Sequence, residues 1–197
     1  MYNDNVHDVT LTLTNNIHTF NSLLAILFRI PPACEQPQYN LLHRERFEIE
    51  YAPLYQKYGY GTTIWSALAS GVLTGKYNSG IPENSRLALS SLSSFKHQFL
   101  SGKRHGPWDE IVRRVSKLKN LGNEIGCTLP QLAIAWALKN PHVSTIIMGG
   151  TKIHQLEDNL GSLLCEKKLT LELMTRIEDI IETKPNAPKD WTLYKRL

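Results

Sequence analysis

The chain has 197 residues, of which 42% are hydrophobic and 20% charged, and its formal net charge is +4. This length and composition predict one globular domain with a sizeable core, and they exclude a disordered or fibrous chain. The basic residues are scattered along the sequence, which argues against a nucleic-acid-binding arm. A small ligand that carries phosphate is compatible with this modest positive charge.

The cysteines and the apolar runs bear on the compartment. Cys34, Cys127 and Cys165 lie far apart and in no metal-ligand spacing, so we expect reduced thiols, no metal site and a cytoplasmic protein. The apolar run from Leu23 to Phe28 is much shorter than the ~20 residues that a membrane helix needs. The residues before it lack the Lys and Arg of a signal peptide, so we expect neither export nor membrane insertion.

The amino-terminal part of the chain gives weaker signals than the rest. Met1 to Ser22 is polar and alternates only in VTLTLT, which fits either a loose tail or a single strand. Regular signals begin at Pro31, where the run ACEQ after two prolines predicts a short buried strand. The segment HRERFEIEYAPLYQKYG then predicts a helix that ends at Gly59.

The middle of the chain alternates strand and helix patterns. The segment GTTIWSAL predicts a second strand, and a long loop rich in Gly, Pro and Ser follows it. The segment DEIVRRVSKLKNLGNEIG predicts an amphipathic helix that ends near Gly126. Thr128 and Gln131 have the spacing of a capping box, and the helix LAIAWALKN that they begin is apolar nearly all round, so we expect it to be buried.

The last third contains one more strand and two helices. The run VSTIIMGG predicts a buried strand, and Thr151 is the predicted N-cap of the next helix. A final helix, LTLELMTRIEDIIETK, should stop before Pro185. The helix after Thr151 places its apolar residues on one face, formed by Ile153, Leu156, Leu160 and Leu163.

The alternation of strands and helices predicts an α/β protein with about three parallel βα units, too few to close a barrel. Ligands of such folds bind where strands end, so the loop after the second strand is the first candidate site. Its glycines let the backbone approach an anion, and Lys76 and Arg86 can neutralise phosphate. Gly149 and Gly150, before a helix amino terminus, form a second candidate, and two such loops suit a ligand with more than one phosphate.

Each candidate also has a plainer interpretation. A glycine-rich loop with one lysine is often only a turn, and a glycine pair before a helix often serves close packing. Trp65 is either a core residue or, at a strand end, a platform for a ligand ring.

Three stretches carry a resemblance to a known family. They are EQPQYNLLHRE, TTIWSALASGVLTGKYNSGIPENSR and GCTLPQLAIAWALKNPHVSTIIMGGTKIHQLEDN. In this order they resemble the aldo-keto reductases, in the branch that contains the voltage-gated potassium channel β subunits, from Pro31 to near Tyr194. The resemblance implies a (β/α)8 TIM barrel, of which residues 31–197 would be the carboxyl-terminal half, with about three βα units and a final helix. Residues 1–30 are unmatched, and disorder is one of the two interpretations of this segment, beside a single strand.

The resemblance also implies NADP(H) as the cofactor. Gln36 would lie beneath the nicotinamide amide, and Trp65 takes the place of the ring-stacking tyrosine that is common elsewhere in the superfamily. The pyrophosphate, 2′-phosphate, ribose and adenine would be held by Ser66, Leu68, Ser70, Gly71, Lys76, Arg86, Gly149, Thr151, Gln155, Asp158 and Asn159.

Departures from the family pattern limit what the chain does alone. Ala67 stands where channel β subunits usually have proline, and Asp158 stands where glutamate is usual. No segment matches the part of the family that carries the catalytic Asp, Tyr, Lys and His, so we assign no catalytic residue. A carbonyl reductase needs a proton donor beside the hydride of NADPH, and we therefore expect no reductase activity from this chain by itself.

Three functional interpretations follow from the sequence. The first is an NADP(H)-binding aldo-keto reductase-like protein, whose family reaction is reduction of aldehydes or ketones. The second is a non-catalytic module that binds a potassium channel α subunit or a full-length homologue, and the third is a remnant without function. The open strand edges of a half barrel also favour association, including homo-oligomers.

Overall fold

A computed structural model describes residues 33–88 and 106–186. The predictions for residues 1–30, and those for residues beyond 186, lie outside this part. The described part is an α/β structure in which a three-stranded parallel sheet has the order β1-β2-β3. The strands are β1, Cys34–Glu35, β2, Gly61–Ile64, and β3, Thr145–Ile146.

The two outer strands were predicted to be buried, and this prediction is wrong, whereas β2 is the buried strand. Thr62 and Ile64 of β2 are buried, whereas Cys34 of β1 and Thr145 of β3 are exposed. A parallel strand is buried when neighbours cover both its edges and both faces. Among the described residues only β2 has a strand on each side, because β1 and β3 are the edges of this sheet.

The first predicted helix is divided in two. A π-helical turn, Arg46–Glu50, leads into α1, Ala52–Tyr58. Pro53 explains the division, since a proline in the second turn of a continuous helix cannot donate to the carbonyl four residues earlier. The end of the helix at Gly59 is confirmed, because Gly59 has φ 63° and donates from its N–H to the carbonyl of Tyr55.

The two central helices agree with the sequence predictions. They are α2, Trp108–Glu124, and α3, Leu129–Leu138. Thr128 Oγ1 accepts from the Gln131 N–H at 3.3 Å and Gln131 Oε1 accepts from the Thr128 N–H at 3.1 Å, so the capping box is confirmed. The expected burial of α3 is also confirmed, since its buried residues are Leu129, Leu132, Ala133, Ile134, Ala135, Trp136 and Ala137.

Three helices follow β3, and the first two of them replace the single helix that was predicted after Thr151. They are α4, Ile153–Leu160, α5, Ser162–Lys168, and α6, Leu171–Ile181. The predicted N-cap Thr151 is wrong, because Lys152 is the N-cap and Thr151 Oγ1 donates to Gln155 Oε1 instead. The end of α6 before Pro185 is confirmed.

The apolar face of α4 is not buried in this structure. Ile153 is 77% exposed, and Leu156, Leu160 and Leu163 are exposed as well. Leu164 of α5 extends the exposed apolar surface. Nothing in the described part of the chain covers these side chains, although the pattern that predicted an apolar face was correct.

A buried ionic cluster joins the first helical segment to α6. The Arg44 guanidinium, whose side chain is 6% exposed, contacts Glu48 at 2.9 Å and Glu178 at 2.6 Å. Trp136 Nε1 donates to Glu178, and the Arg44 guanidinium lies 4.9 Å from the centre of the Trp136 ring. Removing one member would leave a buried charge without its partner, so this cluster fixes α3 and α6 relative to the first segment.

Candidate functional site

The segments that follow the three strands leave the sheet at one edge. After β1 the chain continues beside the end of β2, where Trp65 donates to the Pro37 carbonyl at 3.1 Å and Tyr39 donates to the Trp65 carbonyl at 3.3 Å. After β3, the Ile147 N–H donates to the Ile64 carbonyl at 2.8 Å. The predicted site segments therefore start side by side, at the carboxyl edge where ligands of parallel sheets bind.

Gln36 and Trp65 lie next to each other at this edge. Trp65 Nε1 donates to the main-chain carbonyl of Gln36 at 3.2 Å, which fixes the indole relative to the end of β1. The Trp65 side chain is 38% exposed and Gln36 is exposed, so neither is a core residue. An accessible indole anchored by its N–H has a free face on which a planar ring can stack.

The loop after β2 has an unusual backbone. Ser66, Ala69 and Ser70 have φ of 60°, 47° and 56°, and Gly71 continues the series with φ 91°. Side chains with a Cβ rarely adopt this left-handed conformation, and each instance costs on the order of 1 kcal/mol or more. Such strain is concentrated at ligand sites, where the surrounding structure holds it in place.

Asn40 is the residue that holds the start of this loop. Its side chain is buried, donates from Nδ2 to the Ser66 carbonyl at 2.9 Å and accepts from the Leu42 N–H at 2.9 Å. Sequence reasoning gave Asn40 no role. Its partner Ser66 is 26 positions away, so no local pattern reveals the contact.

Lys76 folds back over Gly71. A Cβ on Gly71 would lie 2.6 Å from Lys76 Cε and 2.7 Å from Lys76 Nζ, so glycine lets the ammonium group lie directly over the loop backbone, and a larger residue would displace it. The same Nζ lies 4.9 Å from the centre of the Tyr77 ring, and the Tyr77 hydroxyl donates to the Ser70 carbonyl at 3.3 Å. The loop thus presents a lysine ammonium, as the sequence predicts. Arg86 lies further along the chain and is exposed.

The loop after β3 offers main-chain donors at the start of α4. Gly149, Gly150 and Thr151 are exposed there. Gln155 Oε1 accepts from the Thr151 N–H at 2.9 Å and from the Lys152 N–H at 3.3 Å. Two N–H groups therefore converge on one oxygen atom, which is the arrangement that a phosphate oxygen requires. The predicted site residue Gln155 occupies these donors in the structure.

Asp158 and Asn159 differ from the other predicted site residues. The Asp158 carboxylate accepts from Thr128 Oγ1 at 3.0 Å and from Gln131 Nε2 at 2.9 Å, so it faces the amino end of α3. Asn159 is buried. The remaining predicted residues lie at or near the surface, because they belong to loops or to the first turn of α4.

Three buried tyrosines, Tyr39, Tyr51 and Tyr55, do not resemble an activated proton donor. Burial is the largest cause that raises the pKa of Tyr39 and Tyr55 well above the usual value, and it raises the pKa of Tyr51 to about 12. An acid that works near neutral pH needs a lowered pKa, so these three tyrosines do not suit the role.

Within residues 33–88 and 106–186 no cluster of His, Cys, Asp and Glu could hold a metal ion.

Comparison with known proteins identifies the family. The sequence model of the aldo/keto reductase family matches residues 19–182. The chain therefore belongs to the aldo/keto reductase family, and the resemblance to this family is confirmed, although the match begins at residue 19 and not at Pro31. The family fold is a (β/α)8 barrel, and the parallel βα units of the described part are consistent with a portion of it.

Similar proteins carry the provisional name of voltage-gated potassium channel subunit beta. One from Arabidopsis thaliana is 42% identical over 163 residues, which are 82% of this chain and 48% of the relative. Another from Oryza sativa subsp. japonica has the same identity and coverage. One from Schizosaccharomyces pombe is 46% identical over 156 residues, which are 79% of this chain and 44% of the relative. The chain thus spans about half the length of these relatives.

None of the helices in the described segments has both the length and the apolar character needed to cross a membrane.

Proposed function

We propose that this chain provides the NADP(H)-binding half of an aldo-keto reductase-like oxidoreductase. The observation that carries the proposal is the convergence of the loops after β2 and β3 at one sheet edge, with Lys76 on one loop and main-chain donors on the other. In the whole enzyme NADPH would supply a hydride to the carbonyl carbon of an aldehyde or ketone.

The residues fit the two ends of the dinucleotide. Trp65, accessible and anchored to Gln36, would stack on the nicotinamide ring. Lys76 and Arg86 would neutralise phosphate oxygens. The Thr151 and Lys152 N–H groups would donate to the 2′-phosphate once its oxygen replaces Gln155 Oε1. Binding of the nucleotide would then replace the neutral amide oxygen of Gln155 with a charged phosphate oxygen as the acceptor of these two N–H groups.

The proton for the new alkoxide would come from outside the described residues. Tyr39, Tyr51 and Tyr55 all have a raised pKa, which suits a neutral structural hydroxyl. We therefore propose that the chain alone binds NADPH and does not reduce carbonyl compounds. We place this binding protein in the cytoplasm, in keeping with the free cysteines of the described part.

Equilibrium titration with NADPH and with NADP⁺, followed by tryptophan fluorescence, tests the proposal. Saturable binding should be weakened about tenfold or more by Lys76→Ala and by Arg86→Ala, since each removes a charge-assisted contact. Lys57→Ala is a matched control, because Lys57 also lies over the ring of the next tyrosine, at 5.2 Å, but on a helix that precedes β2. A folded chain that binds neither nucleotide would refute the proposal.

The exposed apolar face favours a second candidate function, that of an association module. The face consists of β3-end, α4 and α5 side chains, and its exposed members are Ile147, Met148, Ile153, Leu156, Leu160, Leu163 and Leu164. Large exposed apolar surfaces mark interaction sites. Among the described residues, no strand pairs with the outer edge of β3.

The occupant that we propose for this face is the missing half of a related barrel. The chain spans about half the length of its relatives, and the described residues form three strands where the family barrel has eight. A partner that brings the other strands would both pair with the β3 edge and cover the apolar side chains. A full-length homologue or a channel-associated β subunit would present such a half.

Size-exclusion chromatography with light scattering tests this association. The chain is mixed with the half of the Schizosaccharomyces pombe relative that it does not match, and a one-to-one complex is expected. Leu160→Glu with Leu164→Glu should abolish the complex, whereas Lys167→Glu on the same helix as Leu164 should not. A homodimer or a stable monomer that ignores the added half would contradict the proposed occupant.

A further inference from the structure

Helix α4 is attached to the rest of the described structure mainly through polar contacts. Its apolar residues Ile153, Leu156 and Leu160 face outward. Asp158 lies on the other side of the helix, and Asn159, between the two sides, is buried. The usual way in which an amphipathic helix is fixed, through its apolar stripe, is therefore absent for α4 within the described residues.

Asp158 supplies the attachment. Its carboxylate accepts from Thr128 Oγ1 at 3.2 and 3.0 Å and from Gln131 Nε2 at 2.9 Å, and its main-chain carbonyl accepts from the same Gln131 Nε2 at 3.0 Å. We refer to Thr128, Gln131 and Asp158 as the Asp158 clamp. Hydrogen bonds to a charged acceptor are stronger than neutral ones, so the clamp can hold a short helix.

The clamp connects α4 to a fixed part of the fold. Thr128 and Gln131 also form the capping box of α3, the most buried helix of the described part. Gly161 packs so closely on Gln131 that a Cβ there would lie 3.0 Å from Gln131 Cδ. The Gln131 side chain therefore has little freedom, and Asp158 is joined to a rigid partner.

We infer that Asp158 is a positioning residue, which orients α4 so that its first turn can receive the 2′-phosphate of NADPH. This inference rests on the proposed function. It differs from the role that the family resemblance implies, a direct contact with the adenosine part of the cofactor, because the carboxylate is already engaged by α3. The clamp acts on the N–H donors of Thr151 and Lys152, which directly precede α4 and lie six to seven positions before Asp158, and hence on the preference for NADPH over NADH.

Binding of NADPH and NADH to a set of clamp variants tests the inference. Asp158→Ala and Thr128→Ala should each lower the affinity for NADPH about tenfold while the affinity for NADH changes little. Thr128→Ser, which keeps the hydroxyl, should restore the NADPH preference, and Asp158→Asn, which keeps one acceptor oxygen, should restore part of it. Equal loss for both nucleotides in Asp158→Ala, with no effect of Thr128→Ala, would show direct contact with adenosine and overturn the inference.

Amide hydrogen exchange gives a readout that needs no nucleotide. The Thr151 and Lys152 N–H groups bond to Gln155 in the free protein, so loss of the clamp should speed their exchange about tenfold relative to amides of α2. Unchanged exchange in Asp158→Ala and Thr128→Ala would overturn the inference. If the wild-type chain does not bind NADPH, the proposed function is refuted, and so is the role of the clamp in NADPH preference. The exchange result decides separately whether the clamp orders the first turn of α4.

Discussion

In the candidate site, the Lys76 side chain lies over the backbone of Gly71. Gly71→Ala should destabilise the chain by about 1 kcal/mol or more, because φ is 91° and the new methyl group meets Lys76. It should also weaken NADPH binding, since the ammonium group loses its place on the loop. Urea unfolding and nucleotide titration measure the two effects.

Gly80 offers a control for the backbone strain. It has φ 120°, but a Cβ there would meet nothing within 4 Å. Gly80→Ala should therefore lower stability without changing nucleotide affinity. If Gly71→Ala binds NADPH as well as Gly80→Ala does, the folded position of Lys76 has no part in binding.

Tyr39 and Tyr55 are both buried but differ in what their hydroxyls contact. The Tyr39 hydroxyl donates to Glu48 at 2.7 Å and accepts from Asn140 at 3.2 Å, while the Tyr55 hydroxyl has no hydrogen-bond partner among the described residues. Tyr39→Phe should cost about 1–3 kcal/mol because it removes two hydrogen bonds, one of them to the Glu48 carboxylate. Tyr55→Phe should be neutral or stabilising, because it removes a buried unpaired group. Denaturant unfolding of the two variants compares them, and a larger loss in Tyr55→Phe would contradict the assignment.

The raised pKa of Tyr51 leads us to expect that the folded chain loses stability at alkaline pH. Burial, together with Glu35, raises its pKa from 10.0 to about 12 in the folded chain. The folded state therefore keeps the proton that the unfolded state releases, so this contribution is present below pH 10 and is lost as the pH rises from 10 to 12. Tyr51→Phe should make the stability fall less steeply over this interval. Equal slopes for wild type and variant in pH-dependent unfolding would show that Tyr51 does not contribute.

Some residue roles were readable from the sequence and others were not. The cap formed by Thr128 and Gln131, and the helix stop at Gly59, follow from spacing within a few residues. The contacts of Asn40 with Ser66 and of Asp158 with Thr128 join positions 26 and 30 apart, which no local pattern predicts.

At the level of elements, the junction between α4 and α5 is fixed by a close contact with α3. Gly161 has helical φ, so alanine there would normally favour the helix, but its methyl group would collide with Gln131. Gly161→Ala should lower the free energy of unfolding by about 1–3 kcal/mol. The double variant with Gln131→Ala should recover part of this loss, as thermal or urea unfolding would show. Additive losses in the double-mutant cycle would mean that the two positions do not interact.

Helix positions were predicted better than strand environments. Periodicity located α2, because the residues that face the core recur every three to four positions, whereas α3 was located by its capping box and its continuous apolar run. The break before Pro53 was missed, since the apolar spacing continues through it. The outer strands were predicted to be buried from their apolar residues, yet burial of a strand depends on neighbours that its own sequence does not contain.

For the molecule as a whole, the exposed apolar face should contribute little to the stability of the chain alone. Leu164 is 67% exposed, so Leu164→Glu should change the free energy of unfolding by less than about 0.5 kcal/mol and reduce self-association. Leu132, fully buried on α3, is the contrast, and Leu132→Ala should cost about 2–5 kcal/mol. Light scattering and urea unfolding distinguish the two. A large loss of stability in Leu164→Glu would mean that the face is covered within the chain itself.

The strand order also has a consequence for the course of folding. β1 and β2 pair through residues 34 and 61, whereas β2 and β3 pair through residues 63 and 145, a separation about threefold greater. Closing the longer loop costs about 1 kcal/mol more in chain entropy. During synthesis the ribosome releases β2 well before β3, so one edge of β2 stays unpaired while α2 and α3 are being made. A nascent chain that contains β2 but not β3 exposes this unpaired edge of β2. Chaperones should therefore stay bound to the nascent chain until Ile146 of β3 has emerged from the ribosome.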